Sequence, residues 1–213
     1  MTAREVDPAE LLLDRRKERI DAVVAQRVRG LTLVLEHVHD PHNLAAVLRT
    51  SEALGLQDLH IVAGPKGFRP SQAVTQGADK WLDVHQHASA AVCADELHHQ
   101  GFRIFGSRLD GEALDLAALP FGERLALVFG NERDGLSSEF AERCDGFFRI
   151  PMLGFSQSFN ISVAVGITLA TAMLARRQRG LGGDLPENDR EALQRRFYAL
   201  AANVPARRGE PTQ

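Results

Sequence analysis

The sequence predicts an α/β domain in which a mostly parallel sheet carries helices on both faces. Two observations lead there. Short apolar runs, LTLVL (31–35), LHIVA (59–63) and LALVFG (125–130), read as strands buried on both sides. Between them lie stretches with apolar residues at helical spacing, and strands alternating with helices are the pattern of a parallel sheet, whose strands need long crossovers. The chain has 213 residues, 44% hydrophobic and 25% charged, which suits one compact domain with terminal extensions.

Residues 8–27 read as a helix, with Leu11, Leu12, Ile20, Val23 and Val24 as an apolar stripe amid charge, and Gly30 closes the segment. After the first strand, Asp40, Pro41 and Asn43 are good helix-start residues. Leu44, Val47, Leu48 and Leu54 continue that helix to Gly55. The second strand leads into a loop with Gly64, Pro65, Gly67 and Pro70. A weak strand near 81–84, a helix over 89–99 and the strand RIFG (103–106) follow. LALVFG is the clearest strand, and 146–150 is the last. Residues 160–177 form one apolar helix, expected to be buried on most faces. Arg176, Arg177 and Arg179 sit in its last turn, where positive charge complements the helix dipole. GLGGDLP (180–186) reads as a linker, and 186–202 as a final polar helix. The expected organisation is an N-terminal helical extension (1–30), a central domain (31–178), and a C-terminal linker and helix (179–213).

The net charge of -3 hides an asymmetry: 15 of the 25 basic residues lie in 1–30 and 176–213, whereas the middle of the chain is acidic. All but Lys17, Lys66 and Lys80 are arginines, whose planar fork suits phosphate. Two readings follow. The ends are ordinary solvated helices, or they are an electrostatic handle for nucleic acid. Arg4, Arg15, Arg16, Lys17, Arg19, Arg27, Arg190, Arg195, Arg196, Arg207 and Arg208 are the exposed-looking members of that handle. Two cysteines, Cys93 and Cys144, are too few for a disulfide scaffold and fit a reducing compartment. The opening has no apolar signal core, and the longest nearly apolar run (161–175) is shorter than the roughly 20 residues a membrane helix needs. The expectation is a soluble cytoplasmic protein without a membrane partner.

Several chemistries are excluded by motif. There is no GxxxxGK[ST] phosphate loop, no glycine fingerprint after the first strand, no GxSxG elbow and no CxxC pair. Three segments remain. His37, His39 and His42 follow the first strand and could hold a metal, although Asp40 is out of step with the HxHxDH pattern. The same loop can instead present Asn43 as a cap and polar contact, with Arg49 one and a half turns on and able to reach toward the carboxyl edge of the strand. His85, His87, His98 and His99 stand in surface-like contexts and offer no second ligand cluster. In LVFGNERDGLSSEF (127–140), Asn131, Glu132, Arg133 and Asp134 crowd a strand end, which reads as a site or as a solvated turn at Asp134-Gly135. In RIPMLGFSQSFNISVAVGI (149–167), Ser158 and Asn160 can cap the long helix and leave backbone N–H groups for a ligand.

Together these blocks resemble the SpoU (TrmH) branch of the SPOUT RNA methyltransferases. The matching residues are Asn43 and Arg49 in NLAAVLRTSEALG, Glu132 in FGNERDGLS, and Ser158 and Asn160 in IPMLGFSQSFNISVA. The likeness runs from about Leu31 to Arg177, and Phe159 stands where that family usually has leucine. The opening RRKERIDAVVAQRVRGLTLVLEHVHDPHN and the charged helical C-terminus are similar to the tRNA guanosine-2′-O-methylating members.

The resemblance implies a C-terminal trefoil knot that holds S-adenosylmethionine, and a homodimer whose active site uses both subunits. It implies methyl transfer to a tRNA ribose 2′-OH, at the guanosine at position 18 in the D-loop; a ribosomal RNA site or the tRNA wobble nucleotide is the alternative within the family. No metal is required for a displacement at carbon. Arg49 is the implied catalytic arginine, with Asn43 holding Arg49 and the ribose, and Glu132, Ser158 and Asn160 shaping the site. Gly106, Gly130, Ile150 and Phe159 are the implied cofactor contacts. A metal-dependent hydrolase built on His37, His39 and His42 is the remote alternative.

Overall fold

The computed structural model describes residues 7–63, 77–109 and 111–203. The loop expected around Gly64–Pro70, together with Arg4, Arg207 and Arg208, lies outside the described residues. The chain divides into two compact units. One is Val28–Gly182; the other combines Met1–Arg27 with Gly183–Gln213.

The larger unit is built on one seven-stranded sheet. Its strands are β1 (Leu31–Glu36), β2 (Asp58–Val62), β3 (Asp83–His87), β4 (Arg103–Ser107), β5 (Leu114–Asp115), β6 (Leu125–Phe129) and β7 (Gly146–Arg149). Their order is β3-β2-β1-β6-β4-β7-β5, and every neighbouring pair is parallel. The helices are α2 (Pro41–Ala53), α3 (Ala90–His99), α4 (Ser138–Ala141) and α5 (Ile161–Gln178). α1 (Asp14–Val24) and α6 (Glu187–Ala201) belong to the smaller unit.

Side-chain alternation sorts the core into two layers. Leu31, Leu33 and Leu35 of β1 and Leu125, Leu127 and Phe129 of β6 pack with α2 and α5. Val34, Ala126 and Val128 point the other way, against Cys93, Ala94 and Leu97 of α3 and Phe140 of α4. All six residues of β1 and all five of β6 are buried. This explains why both read as continuous apolar runs rather than alternating ones. At the amino ends of three strands, Arg29 donates to both Asp58 carboxylate oxygens at 2.9 Å and to Asp83 at 2.7 Å. His85 shares Asp58 at 2.8 Å, and that hydrogen bond raises its pKa.

The structure corrects four local readings. The first helix is broken: Asp7 caps a 3₁₀ turn over Pro8–Leu11, Leu12 and Leu13 are extended, and α1 begins at Asp14. The weak strand near 81–84 shifts to Asp83–His87, because Asp79–Trp81 forms another 3₁₀ turn. β5, two residues long, has no period to detect. α5 buries one stripe, Ile161, Val165, Thr168, Leu169, Ala172, Met173 and Arg176, and leaves Val163 and Leu174 exposed. Only one side of a helix laid on a sheet can face that sheet. Arg176 is therefore buried and donates to the Phe121 carbonyl at 3.2 Å, while Arg179 reaches the Ala175 carbonyl at 2.9 Å.

In the smaller unit, Asp21 of α1 accepts from Gln194 and Tyr198 of α6, both at 2.6 Å. Burial, and the hydrogen bond to Asp21, push the Tyr198 phenol up to about 12. Arg27, expected at the surface, is buried with its guanidinium 5.5 Å from the Phe197 ring centre. Among the described residues no helix is long and apolar enough to cross a membrane, and both cysteines are free.

Candidate active site

Three segments meet beyond the carboxyl ends of β1 and β6, the edge at which open parallel sheets receive ligands. The first is the start of α2. Asp40, not Asn43, is its N-cap: the Asp40 carboxylate accepts from the His42 backbone N–H at 2.8 Å, and Pro41 opens the helix. Asn43 is thereby freed for tertiary contacts. The second segment is the turn after β6, and the third is the N-terminus of α5.

Asn43 joins all three. Its Nδ2 donates to Glu132 Oε1 at 2.9 Å, and its Oδ1 accepts from Asn160 Nδ2 at 2.9 Å. Asn160 in turn caps α5, accepting from the Ser162 backbone N–H at 2.9 Å and the Ser162 hydroxyl at 2.6 Å. The order Glu132–Asn43–Asn160–Ser162 is a continuous chain of hydrogen bonds across residues far apart in sequence.

The turn that carries Glu132 is anchored independently. Asn131 and Gly135 exchange two backbone hydrogen bonds at 2.9 Å, with Gly135 at a φ of 69°. Asn131 Oδ1 accepts from the Arg133 N–H at 2.8 Å, and its Nδ2 donates to the His37 carbonyl at 2.9 Å. His37 itself stands at a φ of 53°, a conformation held by that bond and by His37 N–H to the Val62 carbonyl at 3.1 Å. From beneath, buried Glu36 accepts from the Ser137 N–H at 2.9 Å and its hydroxyl at 2.5 Å. Sequence reasoning missed Glu36 and saw in Asn131 only one of four polar residues crowding a strand end. The signal for Glu36 was a carboxylate ending an otherwise apolar strand, LTLVLE.

Arg49 lies one and a half turns beyond Asn43, exposed, with no side-chain hydrogen bond or ion pair among the described residues. Asn43 is occupied by Glu132 and Asn160 and does not hold Arg49, contrary to expectation. Ser158 is exposed and is not the cap of α5. Phe159 is half-exposed in the same loop, 151–160, where Leu153 and Phe155 are fully exposed. Gly106, Gly130 and Ile150 sit at the carboxyl ends of β4, β6 and β7, which are adjacent. Close packing of the backbone on itself requires Gly130, whereas Gly106 faces side chains that would have to shift to admit a Cβ. A Cβ on Gly130 would strike the Gly135 backbone, and one on Gly106 would lie 2.5 Å from Leu136 Cδ1.

His37, His39 and His42 do not gather. The His37 and His39 rings are stacked 6.4 Å apart, and no metal-sized group of donors forms there among the described residues.

Comparison with known proteins places these positions in context. The pattern of the SpoU rRNA Methylase family matches residues 30–170, which include the whole hydrogen-bonded chain and Arg49. The sequence is 32% identical over 190 residues to the tRNA (guanosine(18)-2′-O)-methyltransferase of Borreliella burgdorferi, covering 89% of this chain and 87% of that protein. It is 36% identical over 180 residues to the enzyme of the same name from Thermus thermophilus, covering 84% and 92%. Among solved structures, the A. aeolicus TrmH/SpoU tRNA modifying enzyme is similar with a TM-score of 0.80 and 28% identity, covering 88% of this chain and 97% of that one.

Proposed function

The chain belongs to the SpoU methylase family, and from that premise we propose that it methylates a tRNA ribose on its 2′-hydroxyl, at guanosine 18 of the D-loop. The observation that carries this reading is the bonded set Glu132–Asn43–Asn160 at the carboxyl edge of the sheet, with an exposed Arg49, lacking a side-chain partner among the described residues, on the same helix as Asn43.

S-adenosylmethionine, when bound, supplies an electrophilic methyl group. The residues at the strand ends fit such a group. Gly106, Gly130, Ile150 and Phe159 bring backbone and an aromatic ring but no charge, Gly154 has open space around it, and Leu153 and Phe155 offer apolar surface. That chemistry suits a purine, and an aromatic face suits a sulfonium cation.

Arg49 is the residue assigned to RNA. A guanidinium stays protonated in proteins, so it binds the phosphate beside the target ribose and orients the hydroxyl rather than taking its proton. The 2′-oxygen that Arg49 orients would receive the methyl group of bound S-adenosylmethionine, and the hydroxyl proton would pass to the phosphate or to water. Orientation of this kind contributes on the order of 7–11 kcal/mol in the best cases. Asn43, Glu132 and Asn160 hold the three segments in register, and Ser158 lines the loop.

Arg49 has no side-chain partner among the described residues, and Leu153, Phe155, Val163 and Leu174 are exposed. Both features support a homodimer in which the second subunit covers α5 and the loop and completes the site; the family implies a trefoil knot in the C-terminal half. The exposed arginines Arg15, Arg16, Arg19 and Arg195 on α1 and α6 support a tRNA-binding role for the smaller unit.

The deciding experiment is mapping of 2′-O-methyl groups in unmodified tRNA incubated with the protein and S-adenosylmethionine. One new methyl at guanosine 18 is expected; modification confined to the wobble nucleotide or to ribosomal RNA would replace this assignment.

A further inference from the structure

Three features stand apart from the methyl-transfer residues: the Arg29 clamp, the exposed apolar loop and a cluster of histidines on the edge strands. The clamp is already engaged with Asp58 and Asp83, and the loop belongs to the proposed dimer. The histidines carry an inference that does not depend on the proposed function.

His60 on β2 and His85 and His87 on β3 project from one face of the two outermost strands on that side, toward α3. His87, surface-like in sequence, is buried. The rings of His60 and His87 meet edge to edge, with Nδ1 of His60 2.9 Å from Nε2 of His87. Cys93, on α3, completes a triangle: one donor atom from each of His60, His87 and Cys93 lies within 4.8 Å of the other two, and all three residues are buried. One helical turn beyond Cys93, on the same face of α3, Glu96 places its carboxylate 3.6 Å from Nδ1 of His87.

We propose that His60 Nδ1, His87 Nε2 and Cys93 Sγ bind one divalent cation of the zinc class, with Glu96 orienting His87. The donor types match: two imidazoles and a thiol suit a borderline-soft ion and are poor ligands for magnesium or calcium. The dimensions come close: the donor atoms lie within 4.8 Å of one another, so the Cys93 thiol would draw in by at most about 1.2 Å. Metal–nitrogen bonds of about 2.0–2.1 Å and metal–sulfur bonds of about 2.3 Å at tetrahedral angles set donors roughly 3.3–3.6 Å apart. The imidazole pair therefore opens by only about 0.4 Å to admit the ion. The carboxylate behind His87 is the usual outer partner of a metal-binding histidine. At 3.6 Å it makes no hydrogen bond to the ring, but its negative charge favours a proton on Nδ1, which would leave the Nε2 lone pair facing inward.

Binding is balanced as follows. The Cys93 thiol gives its proton to solvent as the metal–sulfur bond forms, His60 takes the tautomer with its proton on Nε2, and a water fills the fourth position. The ion would tie edge strand β3 and β2 to α3. None of the methyl-transfer residues lies on these elements, so the site is structural.

The test uses the full-length, untagged protein and cobalt(II) as a spectroscopic probe. One equivalent of cobalt is expected to produce tetrahedral d–d bands and a sulfur-to-cobalt charge-transfer band. Zinc is expected to displace cobalt stoichiometrically and to raise Tm. Cys93→Ser should lose the charge-transfer band, while Cys144→Ser keeps it. Glu96→Gln should weaken binding about 10-fold or more. Folding of each variant is followed by far-ultraviolet circular dichroism. The wild-type titration decides alone if a variant does not fold. Absence of a stoichiometric band in the wild type, or its survival in folded Cys93→Ser, would overturn the site and leave a hydrogen-bonded histidine pair. Methyl transfer is expected to continue in chelator, so failure of the metal site and failure of the functional assignment are read separately.

Discussion

Glu36 and Ser137 are 101 residues apart, yet the buried Glu36 carboxylate accepts from both the backbone N–H and the hydroxyl of Ser137. Ser137 also caps α4 through the Phe140 N–H at 3.1 Å. One carboxylate at the end of β1 thus sets the height of the turn that presents Glu132. A neutral amide in its place has one acceptor oxygen for the two donors of Ser137. Glu36→Gln is expected to lower stability by about 1–3 kcal/mol. It should also reduce methyl transfer by roughly 10–100-fold through misplacement of the turn. Denaturant melts and single-turnover rates check the two effects, and a variant with lowered stability but unchanged rate would show that the turn keeps its position without Glu36.

Arg49→Ala is expected to abolish methyl transfer with cofactor binding nearly intact. Stability should stay within about 0.5 kcal/mol, because the side chain is exposed and without a partner among the described residues. Calorimetric binding of S-adenosylmethionine beside an activity assay separates these. Lost cofactor affinity in a folded variant would place Arg49 on the wrong substrate.

Asn43→Ala removes the centre of the Glu132–Asn43–Asn160 chain and is expected to cost about 1–2 kcal/mol and most of the activity. Adding Asn160→Ala should then cost less than it does alone, since the shared bond is already gone. Asn160 retains its capping bond to Ser162, so the second change still has some effect. Additive losses in the double-mutant cycle would mean that the two asparagines act independently.

Arg15, Arg16, Arg19 and Arg195 are exposed, whereas Arg27 is buried over Phe197. Neutralising the four exposed residues is expected to weaken tRNA binding and to flatten its log–log salt slope by about 0.7–0.9 for each phosphate that is no longer neutralised. Cofactor affinity should not change. Arg27→Ala should behave differently, lowering Tm of the smaller unit. An unaltered salt slope in the fourfold variant would end the case for a terminal handle.

Much of the architecture was legible from local chemistry. The continuous apolar runs at 31–35 and 125–130 announced strands covered on both faces, and the helix stop at Gly55 lay where the structure puts it. The resemblance carried by Asn43, Arg49, Glu132, Ser158 and Asn160 pointed to the family that the comparisons show. Periodicity could not reach a two-residue strand such as β5, nor tell that α5 buries a single stripe, since an apolar helix has no polar face to mark its orientation.

Side-chain partners were decided only in three dimensions. Spacing suggested Asn43 as a cap and as the holder of Arg49; the fold gives the capping role to Asp40 and turns Asn43 toward Glu132 and Asn160. Arg27, Arg29 and Arg176 look like surface charge in sequence, but one lies over a buried ring, one clamps three strand ends, and one is drawn to a carbonyl in the core. His60, His87 and Cys93 carry no spacing that marks a cluster, because two neighbouring parallel strands and the helix that follows bring them together. Residue type and period determine which segments form and which face is apolar. Which polar group finds which is a property of packing between distant segments, where a hydrogen bond or a buried charge is settled by what the rest of the chain places beside it.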